Sequence, residues 1–160
     1  MAIKVGDKIP AVTLNTKTAD GIQKLTTDQL FKGKTVVLFG LPGAFTPTCS
    51  AKHLPGFVQN ATAIKGKGVD TIACLSVNDA FVMDAWGKDQ KVGDNVLMLA
   101  DGNGDFSKAV GLTMDATGYG MGTRASRYAM VVKDGVVKTL NVEAPGAFEV
   151  SSAEAVLKAL

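Results

Sequence analysis

Three continuous apolar segments of strand length most constrain what this chain can fold into. They read KTVVLFGLP (34–42), VDTIACLSV (69–77) and NVLMLA (95–100). Such runs, without polar alternation, are typical of strands that are buried on both faces. Helical spacings separate them, and residues 127–142 (RYAMVVKDGVVKTLNV) predict a hairpin that turns at Asp134-Gly135. We therefore expect an α/β fold with a central mixed β-sheet flanked by helices.

Helix signals lie between and after the predicted strands. Apolar residues recur three or four apart over residues 49–65, and Pro55 predicts a kink or break after the first turn of this helix. Asn78 is placed to cap the helix that follows the second apolar segment. Ser151 and Glu154 have capping-box spacing, which predicts a last helix at the C-terminus.

Length and composition limit the function classes. A chain of 160 residues is long enough for one domain, and we expect a single domain over residues 1–160. The net charge of +2 and the absence of a Lys/Arg cluster on a predicted helix argue against nucleic-acid binding. The sequence contains no apolar run of twenty residues, so we predict no membrane span. The segment MAIKVGDKIP lacks the apolar region of a signal peptide, so we expect a cytoplasmic protein.

The two cysteines occupy different sequence contexts. In a reducing cytosol both would be free thiols, and a free thiol is expected to be either buried and inert or exposed and reactive. Cys74 lies within VDTIACLSV and is predicted to be a core residue. Cys49 instead follows a buried strand and a loop restricted by Pro42 and Pro47, at the start of a predicted helix. With one histidine and two distant cysteines, the sequence predicts neither a metal site nor a cofactor.

The position of Cys49 suits a nucleophile. A helix N-terminus offers unpaired N–H groups and a partial positive charge, both of which stabilise a thiolate. Intrinsic nucleophilicity falls as a thiolate becomes more stable, so this effect alone accelerates attack only about two-fold at neutral pH. Further donors must act on the transition state. Thr46, backbone N–H groups and an arginine are the expected sources.

The residues around Cys49 also resemble a known family. A strand, a loop and a cysteine at a helix start are similar to the thioredoxin-like arrangement, although Thr46 stands where the first cysteine of a C-x-x-C motif would be. The spacing Pro42-x-x-x-Thr46-x-x-Cys49 resembles the peroxiredoxin signature. The longer segments PGAFTPTCS, HLPGF, ACLSVNDAFVMDAW and RYAMVVKDGVVKTLNVE resemble the type II peroxiredoxins, the peroxiredoxin-5 subfamily, over residues 3–150.

The resemblance implies a thioredoxin-like three-layer sandwich and a thiol-dependent peroxidase that reduces hydrogen peroxide and alkyl hydroperoxides. By similarity, Cys49 would be the peroxidatic cysteine and Thr46 would hydrogen-bond both the peroxide and the sulfur. Pro42 would shield the site from water, and Arg127 would bind the thiolate and the peroxide. A homodimer is implied by the resemblance alone.

The C-terminal region departs from some members of this family. Certain type II peroxiredoxins carry a resolving cysteine where this chain has FEVSSAE (148–154), with Ser151 and Ser152. Since Cys74 is predicted to be a core residue, we expect a one-cysteine mechanism with an external thiol reductant. Glutathione with glutaredoxin, or thioredoxin, could serve, and the sequence does not choose between them.

Several assignments stay open at the level of sequence. His53 follows Cys49 by four residues, and packing or a helix hydrogen bond is favoured over a direct effect on the thiolate. Arg124 either assists the site or lies at the surface. The segment GYGMGT (118–123) is interpreted as a loop that shapes the site entrance or an interface. A protein-disulfide oxidoreductase and a non-enzymatic redox sensor are the alternative functions, and Thr46 in place of a second active-site cysteine argues against the former.

Overall fold

The structure is a computed structural model and describes residues 2–160 of the chain. Its strands are β1 (Thr13–Thr18), β2 (Gly21–Thr26), β3 (Thr35–Gly40), β4 (Thr71–Ser76), β5 (Leu97–Ala100), β6 (Thr113–Asp115), β7 (Thr123–Ala125), β8 (Tyr128–Lys133) and β9 (Val136–Val142). Its α-helices are α1 (Thr27–Phe31), α2 (Leu54–Gln59), α3 (Ala61–Lys65), α4 (Ala80–Asp89), α5 (Asp105–Val110) and α6 (Ala153–Ala159). A π-helical turn (Cys49–His53) leads into α2, and a 3₁₀ turn (Thr117–Tyr119) follows β6.

Over residues 2–160 the main sheet has seven strands in the order β2-β1-β5-β4-β3-β8-β9. The three predicted apolar strands, β3, β4 and β5, run parallel in its centre, and the other pairs are antiparallel. The predicted hairpin is β8–β9. Asp134 and Gly135 have φ values of 48° and 79°, as a tight turn of this hand requires. The expected mixed sheet is therefore confirmed.

Side chains that alternate along β3 divide the core into two layers. Val37 and Phe39 face the side covered by α2, α3, α4 and α6. Val36 and Leu38 face the opposite side, which α1 and α5 cover. Both faces of the central strand are thus buried, as the unbroken apolar run predicts, and the expected helix–sheet–helix layering is confirmed.

The first 33 residues contain elements that the sequence analysis did not assign. β1 and β2 form a hairpin at one edge of the sheet, in which most β2 side chains are exposed. The capping box of α1 joins Thr26 and Gln29 reciprocally, with N···O distances of 3.1 and 3.0 Å. This edge has little continuous apolar sequence, which is why its strands were not predicted.

Two predicted helix caps each fall one residue before the observed cap. Asp79, not Asn78, caps α4 by accepting a hydrogen bond from the Val82 amide at 2.8 Å. Ser152, not Ser151, caps α6 by accepting one from the Ala155 amide at 3.1 Å. Asn78 and Ser151 have other partners, described below.

The predicted helix over residues 49–65 is interrupted twice. A π-helical turn comes first, in which the Leu54 amide bonds to the Cys49 carbonyl. Pro55 then lies in the first turn of α2, so the expected irregularity is a change from π-helix to α-helix just before the proline. A second break at Asn60, with φ −99° and ψ 7°, separates α2 from α3 and was not predicted. None of the helices within residues 2–160 is long and apolar enough to cross a membrane.

Candidate active site

The loop at 41–48 joins the end of β3 to the helical turn that holds Cys49. Its start is tied to β4, because the Leu41 amide donates to the Leu75 carbonyl at 3.1 Å. Its middle is held by Asn78, whose side-chain oxygen accepts from the Ala44 amide at 3.0 Å. The carboxyl ends of two parallel strands therefore fix this loop, at the edge where open α/β sheets place their sites.

Cys49 lies in the first helical turn after the loop and has no exposed surface. The register between β3 and β8 pairs Gly40 with Tyr128, which brings Arg127 to the same edge of the sheet. Residue 40 must be glycine for this pairing, because a Cβ there would overlap the Tyr128 ring. The Nη2 group of Arg127 donates to the Cys49 Sγ at 3.2 Å.

His53 holds the other end of the same guanidinium. Arg127 Nη1 lies 2.9 Å from His53 Nδ1, and His53 Nε2 lies 3.0 Å from the Ser151 carbonyl oxygen. Since a carbonyl can only accept, Nε2 carries the ring proton and Nδ1 accepts from Arg127. Burial, reinforced by the positive charge of Arg127, lowers the pKa of His53 to about 3. A neutral imidazole therefore orients the guanidinium at neutral pH.

The packing interpretation of His53 is confirmed. Its ring lies 5.0 Å from that of Phe39, 5.7 Å from that of Phe57 and 5.1 Å from that of Phe148. The predicted sharing of one helical face also holds, because Cys49 and His53 contact two nitrogens of one guanidinium. The hydrogen bonds of the ring, however, run to Arg127 and Ser151 rather than to the helix.

Thr46 differs from the expectation in its hydrogen bond. Its hydroxyl donates to the Gly43 carbonyl at 2.6 Å, and no bond from Thr46 to the Cys49 sulfur occurs among the hydrogen bonds of residues 2–160. The expectation that the hydroxyl donates to the sulfur is therefore wrong for this structure. A carbonyl three residues back is a stronger acceptor than sulfur, and it takes the only proton. The lone pairs of the Thr46 oxygen remain available to accept a hydrogen bond.

Arg124 and Pro42 form the rim of the site. Arg124 Nη1 donates to the Pro42 carbonyl at 3.2 Å, and Arg124 Nε donates to the Met121 carbonyl at 2.9 Å. Arg124 thereby joins the cysteine loop to the glycine-rich segment 118–123. The two segments approach so closely that a Cβ on Gly43 would lie 3.0 Å from Arg124 Nη1 and 3.3 Å from Met121 Cε. Of the two roles left open for Arg124, assisting the site or lying at the surface, the structure supports the first, because Arg124 holds the loop at Pro42.

Arg127 is a half-buried cation without a carboxylate partner. None of the ion pairs found within residues 2–160 includes it. An unpaired charge near the interior is costly, and such groups are retained where an anion must be bound. The geometry therefore provides a guanidinium for an anion at the Cys49 sulfur.

Cys74 has none of these partners. It lies in the middle of β4, paired with Phe39 of β3, and has no exposed surface. Burial raises the pKa of its thiol well above the ordinary value. The prediction that Cys74 is a buried core residue is confirmed. Residues 2–160 also contain no group of three His, Cys, Asp or Glu side chains placed to hold a metal ion.

Sequence reasoning missed the groups behind Arg127. Phe148 and Glu143 were not singled out, and Ser151 was interpreted as a helix cap and as a position without a resolving thiol, not as a support of His53. A signal for His53 was present in its spacing from Cys49, but the bridge to Arg127 depends on a contact across 74 positions of sequence. No local pattern encodes such a contact.

Comparisons with known proteins agree with this geometry. The family model described as redoxin matches residues 4–157. The chain is 52% identical to "Peroxiredoxin-2E, chloroplastic" of Arabidopsis thaliana, an alignment that covers 99% of this chain and 70% of the relative. It is 48% identical to "Peroxiredoxin-2B" of the same plant, with coverage of 99% and 98%.

A solved structure extends the similarity to three dimensions. The crystal structure of reduced Prx3 in complex with H₂O₂ from Vibrio vulnificus is similar with a TM-score of 0.95 and 54% sequence identity, covering 98% of each chain. A match of this extent confirms the expected thioredoxin-like sandwich, since the sheet and its flanking helices are shared along the whole chain.

Proposed function

Because this chain belongs to the type II peroxiredoxins and is therefore a thiol peroxidase, we propose that Cys49 is the nucleophile that attacks the peroxide. The observation that carries this proposal is the 3.2 Å contact between Arg127 Nη2 and the Cys49 sulfur. The same guanidinium is fixed from behind by His53, which keeps its donors directed at the reacting atoms. A relative crystallised in its reduced form with H₂O₂ supports hydrogen peroxide as a substrate.

The reaction is a two-electron oxidation of sulfur. The Cys49 thiolate attacks one peroxide oxygen, so that an S–O bond forms while the O–O bond breaks. The departing oxygen leaves as hydroxide or alkoxide and takes up a proton to give water or an alcohol, and Cys49 becomes a sulfenic acid. Arg127 stabilises the negative charge as it moves from sulfur to the departing oxygen.

Thr46 positions the peroxide as a hydrogen-bond acceptor. Its proton is committed to the Gly43 carbonyl, so its oxygen presents lone pairs to a peroxide hydroxyl. Such a bond orients the attacked oxygen toward the sulfur without competing for the thiolate. Pro42, half-buried and lacking an N–H group, limits the approach of water at the rim.

The mechanism uses one cysteine and an external thiol. Cys74 is fixed in the middle of β4 and fully buried, so the backbone of the central sheet restricts the movement that a disulfide with Cys49 would need. Ser151 and Ser152 supply no thiol at the C-terminus. The sulfenic acid is therefore reduced by glutathione with glutaredoxin, or by thioredoxin.

The deciding experiment measures peroxide consumption with separate glutathione, glutathione–glutaredoxin and thioredoxin systems. Sustained turnover with at least one system, and retention of that turnover in Cys74→Ser, is the expected result. Loss of turnover in Cys74→Ser, with Cys49 trapped as a sulfenic acid while the reductant is present, would show that Cys74 resolves the intermediate.

The same family membership supports a homodimer. Phe45, in the loop before Cys49, exposes 55% of its surface, and Tyr119 exposes 83%. Their two segments meet where Met121 approaches Gly43. Large exposed side chains on adjoining loops are typical of contact surfaces. Sedimentation velocity of the wild type and of Phe45→Ser tests this: a dimer that Phe45→Ser weakens is expected, and a monomeric wild type would exclude it.

A further inference from the structure

Glu143 is a buried carboxylate outside the catalytic contacts, only 9% exposed, directly after β9. Its Oε2 accepts hydrogen bonds from the Ser151 hydroxyl at 2.7 Å and from the Ser151 amide at 2.8 Å. The same oxygen accepts from the amides of Glu149 and Val150, at 2.8 and 2.9 Å. Four donors from the segment 147–151 therefore converge on one side chain. Although burial alone would raise the pKa of Glu143, these hydrogen bonds lower it overall, so it is ionised at neutral pH.

The segment that Glu143 holds is also the support of the active-site histidine. The Ser151 carbonyl oxygen lies 3.0 Å from His53 Nε2. His53 Nδ1 in turn accepts from Arg127 Nη1 at 2.9 Å, and Arg127 Nη2 reaches the Cys49 sulfur at 3.2 Å. An unbroken series of hydrogen bonds thus runs from the Glu143 carboxylate to the reacting sulfur.

A backbone hydrogen bond also joins Glu143 directly to Arg127, so these two members of the series are connected in two ways. Glu143 donates its amide to the Arg127 carbonyl at 2.9 Å, as the next pair beyond Tyr128 and Val142 in the β8–β9 register. Phe148, carried by the held segment, places its ring 5.9 Å from the Arg127 guanidinium carbon. One residue therefore fixes the main chain of Arg127 directly and its guanidinium through Ser151 and His53.

We propose that Glu143 is a positioning residue of the peroxidase reaction, acting through Ser151 and His53 to hold the Arg127 guanidinium against Cys49. The inference rests on the proposed role of Arg127. A carboxylate suits this position because both its oxygens only accept and it carries a charge: the Glu149 amide also lies 3.0 Å from Oε1. In an amide side chain with its oxygen in the place of Oε2, the NH₂ group would face the Glu149 amide, and the remaining bonds would lose their charge assistance. The weakened bonds would then let the segment shift and release the Ser151 carbonyl from His53.

The first test is the Glu143→Gln variant, with Glu149→Gln as its matched control. Glu149 lies on the same segment, and its side chain takes part in none of the hydrogen bonds or ion pairs of residues 2–160. The second-order rate of Cys49 oxidation by hydrogen peroxide is measured by stopped flow. We expect about a tenfold loss for Glu143→Gln, because small displacements of a catalytic donor are costly, and less than about a twofold change for the control. An unchanged rate in Glu143→Gln would overturn the proposal.

A double-mutant cycle separates positioning from general stabilisation. If Glu143 acts through Arg127, the loss caused by Glu143→Gln should shrink to less than about twofold in an Arg127→Lys background. Multiplication of the two losses would show that Glu143 acts elsewhere and would overturn the inference. If Arg127→Lys alone left the rate unchanged, the proposed role of Arg127 would fail instead, so the two failures are distinguishable.

A milder variant keeps the test valid if Glu143→Gln does not fold. Ser151→Ala removes one donor to Glu143 but keeps the Ser151 amide and carbonyl in place. We expect the peroxide rate to fall about threefold, which corresponds to less than the free energy of one hydrogen bond. This loss should disappear in the Arg127→Lys background. A full-strength rate in Ser151→Ala, with Glu143→Gln unfolded, would assign Glu143 to the fold alone.

Discussion

Cys49 and Cys74 are equally buried but have different neighbours. Both are free thiols without exposed surface, and both belong to the apolar cluster on the same side of the sheet. Cys74 sits in the middle of a strand with apolar neighbours. Cys49 sits at the end of a loop, with a guanidinium nitrogen 3.2 Å from its sulfur.

Under the proposed function, exposure does not separate the inert thiol of this protein from the reactive one. The expected pairing of reactivity with exposure does not hold for the proposed nucleophile Cys49, which has no exposed surface. What separates the two is the polar partner. Burial without a donor raises the pKa of the Cys74 thiol and keeps it neutral. A buried site with a fixed cation beside the sulfur strengthens every interaction with an anion.

The largest expected effect is opposite behaviour of the two serine variants. Cys49→Ser should reduce peroxide turnover to background, because a serine hydroxyl is not ionised at neutral pH. Cys74→Ser should keep the peroxide rate but lose about 1–3 kcal/mol of unfolding free energy, because it buries a hydroxyl without a partner. Peroxidase assays and urea unfolding of both variants check this. A Cys74→Ser protein with full stability and reduced turnover would reverse the assignment.

The next largest effect is expected from Arg127, the polar partner of the Cys49 sulfur. Arg127→Lys keeps a positive charge but loses the planar fork that contacts Cys49 and His53 together. We expect the peroxide rate to fall about a hundredfold, the usual effect of removing one transition-state donor. Alkylation of Cys49 by iodoacetamide should fall much less, since it needs a thiolate but no stabilised oxygen. Equal losses in the two reactions would mean that Arg127 acts on the thiolate alone.

Thr46 should have a smaller effect, confined to the peroxide. Thr46→Val keeps the side-chain shape and removes the oxygen that accepts from the peroxide and donates to Gly43. We expect a loss of about ten- to a hundredfold in the peroxide rate. Thr46→Ser retains the oxygen and should retain most of the rate, although its rotamer is less restricted. If Thr46→Val matched the wild type, the peroxide would have to be oriented by other groups.

The smallest expected effect is a pH dependence of the free energy of unfolding. It arises from His53, which supports the arginine beside Cys49 and has no counterpart beside Cys74. Burial lowers the pKa of His53 to about 3 from an ordinary 6.5. Between these values the unfolded chain binds a proton that the folded protein does not. The stability is therefore complete above pH 6.5 and falls as the pH decreases, by up to about 1.4 kcal/mol per pH unit.

Urea unfolding between pH 7 and pH 5 measures this slope. His53 is the single histidine of the chain, and Glu143, whose pKa is raised by burial but lowered overall by its hydrogen bonds, contributes mainly at more acidic pH than this range. His53→Gln should flatten the slope over this range. An equal slope in the wild type and the variant would show that His53 binds a proton as readily in the folded protein as in the unfolded chain, which contradicts a lowered pKa.

The features that local sequence patterns encode could be predicted, whereas those that depend on contacts between separate segments could not. The apolar runs predicted β3, β4 and β5, and the Asp134-Gly135 turn predicted β8–β9, because local patterns encode both. The quoted motifs brought Cys49, Thr46, Pro42 and Arg127 to attention, and the structure places all four at one edge of the sheet. Their catalytic roles remain proposals.

The support behind the site could not be predicted. Asn78 and Ser151 carry sequence signals for helix caps, yet their side chains bond to Ala44, 34 positions away, and to Glu143, eight positions away. The next residue, Asp79 or Ser152, caps the helix in each case, so the side chains of Asn78 and Ser151 are available for partners outside the helix. The cytoplasmic location and the choice of reductant stay predictions.

The most direct test of the contrast between the two thiols maps where one equivalent of hydrogen peroxide reacts. Reduced protein is treated with the peroxide, unfolded in the presence of an alkylating reagent, and analysed by mass spectrometry, so that access to the buried thiols does not bias the result. The account predicts that Cys49 alone escapes alkylation, while Cys74 is alkylated completely. Comparable oxidation of Cys74 would contradict it, because the contact with Arg127 would then not be what makes a buried thiol reactive.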